Sequence, residues 1–139
     1  MAILAFVLAC HSDPQPTKGN MTASVHEQVE ACLRTIDQDP DPGHNERTPS
    51  VACLISLGRP ALAPTVPLLS AESSSTRARA ARVIDQITRR VFGFDGREWS
   101  DADRDRWMAW WSQIGYDYSA PAEQRASAIA RLQQALAVL

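Results

Sequence analysis

The chain is 139 residues long and weighs 15.3 kDa, the size of one domain, so a multidomain enzyme is not the expected reading. Hydrophobic residues at 45% against 22% charged exclude disorder over the whole length, and a formal charge of −2 gives no footing to a general polyanion binder. No apolar run reaches the roughly 18–20 residues that a membrane-spanning helix needs.

The first nine residues, Met1 to Ala9, are uniformly apolar and end at Cys10, and a polar stretch holding Pro14, Pro16, Lys18 and Gly19 follows. An apolar segment too short to span, closed by a small residue, has the form of a secretory signal core. Phe6, Val7, Leu8, Ala9 and Cys10 together resemble the lipobox of bacterial lipoproteins. The resemblance implies that residues 1–9 are a signal peptide and that the Cys10 thiol carries the lipid. Residues 10–21 are then a flexible tether, and a domain over 22–139 is held at the membrane of the bacterial cell envelope. No Lys or Arg precedes Cys10, which leaves two possibilities open: a start upstream of Met1, or a segment that is not a signal. In the second case the stretch is an apolar element packed on the core of a cytoplasmic protein.

From Met21 onward no run alternates in the manner of a strand, and helical spacing recurs instead. Val25, Val29, Cys32, Leu33 and Ile36 form the stripe of a first helix, capped by Thr22 or Ser24 and stopped by the prolines of Asp37–Gly43. A second helix over about Thr48 to Leu57 has Pro49 in its first turn and Gly58 at its end. Being apolar nearly all round, it is the expected buried centre. Pro60 to Ser70 reads as a third helix kinked by Pro60, Pro64 and Pro67. The fourth carries Ala80, Ile84, Ile87 and Val91 at helical spacing and is broken by Phe92–Gly96. Ser100 caps a fifth, with the stripe Trp107, Trp110, Trp111 and Ile114 and a stop at Gly115. The sixth runs from about Pro121 to Val138 with Ile129, Leu132, Leu136 and Leu139 as its seam. The expected fold is all-α, about six helices in a stack or bundle.

Residues 54–92 carry a second resemblance. A helix ending in Leu57-Gly58, a proline-punctuated helix from Pro60 to Leu69, a polar turn, and the Arg/Ala-rich run from Thr76 to Ile84 resemble a bacterial HEAT-like repeat. Phe92 to Asp95 followed by Trp107 to Trp111 is similar to the segment that closes such arrays, so the resemblance extends over about 48–115. The turn at Ala71–Thr76 is Ser-rich where that family has an Asp-Pro-Asp type of turn, and at most two repeats are present. The resemblance implies a short stack of helical hairpins that binds another protein and does no chemistry of its own.

Several constellations have a chemical reading beside a plain one. Asp37, Asp39 and Asp41 alternate as in a calcium loop, but Pro42 and Thr48 stand where an EF-hand needs Gly and Glu, so a solvated turn is the better reading. His11, His26, His44 and the three cysteines show no zinc-ligand spacing, so no metal and no cofactor is expected. Cys32 and Cys53 lie at equal distances from the centre of the 37–47 connection, which places them at one height in a helical hairpin. In an oxidising compartment they can pair; alternatively Cys53, opposite Val51 on its helix, faces away from the first helix and the two thiols stay separate. No nucleophile elbow, phosphate loop or paired base is present, so an enzyme is not expected, although a small enzyme with an unrecognised site remains an alternative.

Charge is unevenly distributed. Ser75 to Arg97 holds six Arg and two Asp, whereas His26 to Glu46 holds six acidic residues and one Arg. Arg79, Arg82, Arg89 and Arg90 fall on the side of the fourth helix away from its apolar stripe, which gives two readings. One is a basic face that docks on an acidic protein or on lipid head groups; the other is a solvated face balanced by acidic neighbours within the fold. Nucleic acid is not an expected partner, since export would remove it. Trp107 and Trp111 are expected in the core; Trp99 and Trp110 do not share one narrow stripe with them, so either, if exposed beside Arg97, is a candidate contact residue, with burial in the core the better reading.

Overall fold

The computed structural model describes residues 23–139, so the signal-like segment, Cys10 and the 10–21 stretch lie outside the described residues. Six α-helices build the fold, and there is no strand among the described residues. The first, α1, spans Val25–Arg34. Ser24 is its cap: the Ser24 hydroxyl accepts from the Glu27 N–H, and the Glu27 carboxylate accepts from the Ser24 N–H at 2.6 Å. Ile36 sits just beyond the helix yet is buried. Its carbonyl accepts from the Thr48 hydroxyl at 3.0 Å, and the same hydroxyl accepts from the Val51 N–H to cap α2, Pro49–Leu57. One threonine thus closes the 37–47 connection onto both helices.

The next segment departs from a single kinked helix. It runs as a 3₁₀ turn Arg59–Ala61, a one-turn helix α3, Leu62–Thr65, and a second 3₁₀ stretch Val66–Ser70. Pro64 and Pro67 supply no N–H, so an i to i−4 ladder cannot continue through them and the chain tightens instead. The segment folds back on α2 at 118°. No single described helix is long and apolar enough to cross a membrane.

Helix α4, Ser74–Val91, is the longest element among the described residues and the true centre of the fold. Its residues Ala80, Val83, Ile84 and Ile87 are within 1% of full burial, because α2, the 59–70 segment and α5 all pack on it. The expectation that α2 is the buried centre is corrected accordingly. Ala52 and Ser56 of α2 face solvent, and only Ser50, Val51 and Leu54 are buried. Two sides of α2 are occupied, one by α4 and one by α1. Cys53 lies on the α1 side, away from Val51, and is joined to Cys32 by a disulfide with the Cα atoms 6.5 Å apart.

Helix α4 ends in a Schellman motif. The Phe94 N–H donates to the Arg89 carbonyl and the Gly93 N–H to the Arg90 carbonyl. Gly93 has φ +96° and its missing Cβ would lie 3.0 Å from the Asp103 carboxylate, so both backbone and space select glycine there. Helix α5, Asp101–Ile114, is capped by Ser100 and stopped by the left-handed Gly115. Helix α6, Ala122–Leu136, buries Ala128 and Leu132 against α5 and the 59–70 segment.

Candidate functional site

The four arginines expected on one exposed face have separate fates. Arg79 is 4% exposed. Its guanidinium pairs with the Asp37 carboxylate and donates to the Asn45 backbone carbonyl at 2.8 Å and to Asn45 Oδ1 at 2.6 Å. Asp37 also accepts from the Thr76 hydroxyl at 2.8 Å. This clamp gives the first of the alternating aspartates a partner inside the fold, and it covers Arg79 with the 37–47 connection. Arg89 packs its guanidinium 4.5 Å from the ring centre of Trp107 and 5.8 Å from that of Trp99, with Nε 3.0 Å from Asp85. Arg90, on the far end of α4, donates to the Ile55 carbonyl at 3.0 Å. A contiguous docking stripe of Arg79, Arg82, Arg89 and Arg90 is therefore not what the fold presents.

Arg82 differs from the other three. It is partly buried and has no hydrogen-bond or ion-pair partner among the described residues. It lies where two hollows meet. One, of about 430 Å³, is lined by Asp41, Arg47, Thr48, Val51, Ala52 and Ile55. The other, of about 380 Å³, is lined by Glu46, Ala78, Ala81, Asp85, Trp111 and Tyr118, with Tyr116 at its base. A third, of about 260 Å³, continues past Glu46, Ala78 and Tyr118 to Ser74 and Ser75. The second and third share Glu46, Ala78 and Tyr118 and form one groove along the outer side of α4, and Arg82 borders both this groove and the first hollow.

Two buried arginines hold its walls. Arg79 pins the 37–47 connection, which supplies Asp41, Glu46 and Arg47. Arg77, 8% exposed, donates through Nε to the Tyr118 carbonyl at 2.8 Å and through its terminal nitrogen to the Ala71 and Glu72 carbonyls. Tyr116 reinforces that second wall by donating its hydroxyl to the Leu69 carbonyl at 2.7 Å, and burial pushes its phenol up to about 12. Between the walls the floor is small, Ala78 and Ala81. The groove is thus a consequence of arginines pointing sideways from α4 and alanines pointing out.

Comparison with protein families, curated proteins and solved structures finds no match. The site therefore stands on its own geometry. Its charges are unequal in freedom. Asp85 is tied to Arg89, and Glu46 has Arg47 at 3.6 Å and His44 at 3.5 Å. The Glu46 carboxyl is held below its ordinary range by a hydrogen bond from its own backbone, with attraction from His44, Arg82 and Arg47 adding to it. Asp41 lies on the exposed outer end, and Arg82, which Glu46 attracts without a direct contact, is the charge at the middle with no hydrogen bond or ion pair among the described residues.

The tryptophans lie apart from this floor for the most part. Phe92, Trp110, Trp111, Trp107, Trp99 and Phe94 follow one another with ring centres 5.5 to 6.0 Å apart. Trp99 donates to the Phe92 carbonyl and Trp107 to the Thr88 hydroxyl, each at 3.1 Å. Neither Trp99 nor Trp110 is an exposed contact residue; only Trp111 reaches the groove. Tyr116, Tyr118 and Arg77 are the wall residues that sequence spacing did not single out. A Gly-Tyr-Asp-Tyr run after a helix stop shows that the chain turns, and only tertiary packing shows where its side chains land.

Proposed function

We propose that this chain is a non-catalytic protein-interaction module of the bacterial cell envelope, a short HEAT-like stack anchored through lipid on Cys10. The observation that carries the interaction reading is the groove over α4, whose two walls are held by buried arginines while its floor is left open. Ordering a loop by burying a guanidinium is costly, and the ordered walls enclose small residues instead of core. Its location rests on a separate feature. A disulfide between α1 and α2 persists in an oxidising compartment and is kept reduced in most cytosols, which favours export over a cytoplasmic adaptor. The lipobox-like run from Phe6 to Cys10 supplies the anchor that such an exported domain would use.

The test is the intact mass and detergent requirement of the protein from its native host, beside a Cys10→Ser version. The expected result is loss of residues 1–9 with an added lipid mass, absent from the variant, and release from membranes only with detergent. An unmodified N-terminus in a detergent-free fraction overturns the anchor and moves the interaction module to the cytoplasm.

A further inference from the structure

We infer that the groove over α4 takes an acidic protein segment, a carboxylate pairing with Arg82 while a neighbouring apolar side chain lies on Ala81 against Trp111 and Tyr118. This rests on the interaction reading above and names its partner's chemistry. Three observations carry it. First, Arg82 is the one partly buried charge of the groove with no hydrogen bond or direct ion pair among the described residues; Glu46 attracts it only from a distance, and Asp85 and Glu46 have nearer partners in Arg89 and Arg47. A guanidinium shielded on both sides and offering a fork of free N–H groups suits a carboxylate that can accept two of them. Second, the surface next to Arg82 is concave and has apolar patches beside its charged rim: Ala78 and Ala81 below, Trp111 and Tyr118 beside, with Ala52 and Ile55 on the other flank. Aromatic walls around an arginine are the composition of a binding hot spot, where partial exclusion of water strengthens the charge pair. Third, the groove follows α4 from Ser74 to Asp85, about 16 Å at 1.5 Å per residue, which a short segment of a partner fills.

The test is selection of a random-peptide phage library on the oxidised full-length protein, followed by anisotropy titration of the synthesised consensus peptide. The expected consensus holds Asp or Glu next to an aromatic or aliphatic residue. Its affinity falls by about tenfold or more in Arg82→Ala and in Ala81→Trp, which fills the floor, while thermal melts of both variants match the wild type. A peptide with Lys at the acidic position regains affinity for Arg82→Glu, a charge reversal that a general effect on folding would not produce. A consensus without acid that is still blocked by Ala81→Trp overturns the acidic occupant and leaves the groove as the site. Peptides indifferent to both substitutions overturn the groove and leave an interaction module that binds elsewhere. Failure to select any peptide overturns both this inference and the interaction reading. Arg82-dependent sedimentation with phosphatidylglycerol vesicles, without peptide binding, overturns it in favour of a membrane surface.

Discussion

Arg79 and Arg82 stand three positions apart on α4, and the fold uses them in opposite ways. Arg79 is covered by the 37–47 connection and satisfies three acceptors there, so its removal strands the Asn45 carbonyl and leaves Asp37 tied to α4 through the Thr76 hydroxyl alone. Arg82 satisfies no described acceptor. Replacing Arg79 with Ala is expected to cost about 2 kcal/mol, from a buried charge-assisted network, whereas Arg82→Ala stays within about 0.5 kcal/mol of wild type. Urea denaturation followed by helical circular dichroism separates them. Equal losses would mean that Arg82 is held as firmly as Arg79 and is not free for a partner. The sequence put both residues on the hydrophilic side of one helix, and by angle it was right. What decides their roles is a loop more than thirty residues upstream, and helical periodicity carries no information about which part of a helix's polar side a distant loop will cover. The expectation of acidic neighbours for the basic helix was legible in the charge imbalance between 26–46 and 75–97; that Asp37 meets Arg79 in particular was not.

At the scale of elements, starts and stops were the most legible features. Ser24, Thr48 and Ser100 cap the helices that follow them, and Gly58, Gly93 and Gly115 end those before, since caps and left-handed stops are local chemistry. The 59–70 segment was less legible, because prolines announce a broken ladder without saying into how many pieces it breaks. Cys32 and Cys53 show the same division: their equal height in the hairpin follows from counting, while the facing of Cys53 depends on α2 having a neighbour on each side. Helix α1 depends heavily on that link. It has ten residues, fewer than an isolated helix needs, and only Val29 within it is buried. The disulfide closes a loop between residues 21 apart, which stabilises the fold by about 3 kcal/mol in the chain-entropy account. Reduction, or a paired Cys32→Ser and Cys53→Ser change, is expected to speed amide exchange in α1 while α4 keeps its protection. Uniform acceleration through both helices would show instead that the bridge stabilises the whole domain cooperatively.

At the scale of the whole molecule, three distant stretches meet where Tyr116 leaves α5: the 59–70 segment through Leu69, the start of α4 through Arg77, and the turn that presents Tyr118. Packing of this kind is read from tertiary contacts, and no local pattern foretold that a tyrosine after a helix stop would be 9% exposed. The arrangement has a consequence at alkaline pH. Burial raises the Tyr116 phenol from 10.0 to about 12, against the pull of Arg125 and Arg77, with Asp117 adding slightly to the rise. Between those values the unfolded chain gives up a proton that the folded chain keeps, so ionisation favours unfolding. The stability contributed by Tyr116 is complete below about pH 10 and is lost as the pH climbs towards about 12. Tyr116→Phe has no proton to lose. It should be less stable at neutral pH by about 1 kcal/mol, through loss of the hydrogen bond to Leu69, yet decline less steeply between about pH 9 and about pH 11.5. Urea midpoints measured across that range are expected to converge and then cross for the two proteins. Parallel decline would assign the alkaline loss to other groups and leave Tyr116 as a packing residue alone. Convergence would tie stability to the wall of the groove, since the hydroxyl that ionises is the one that holds this wall to Leu69.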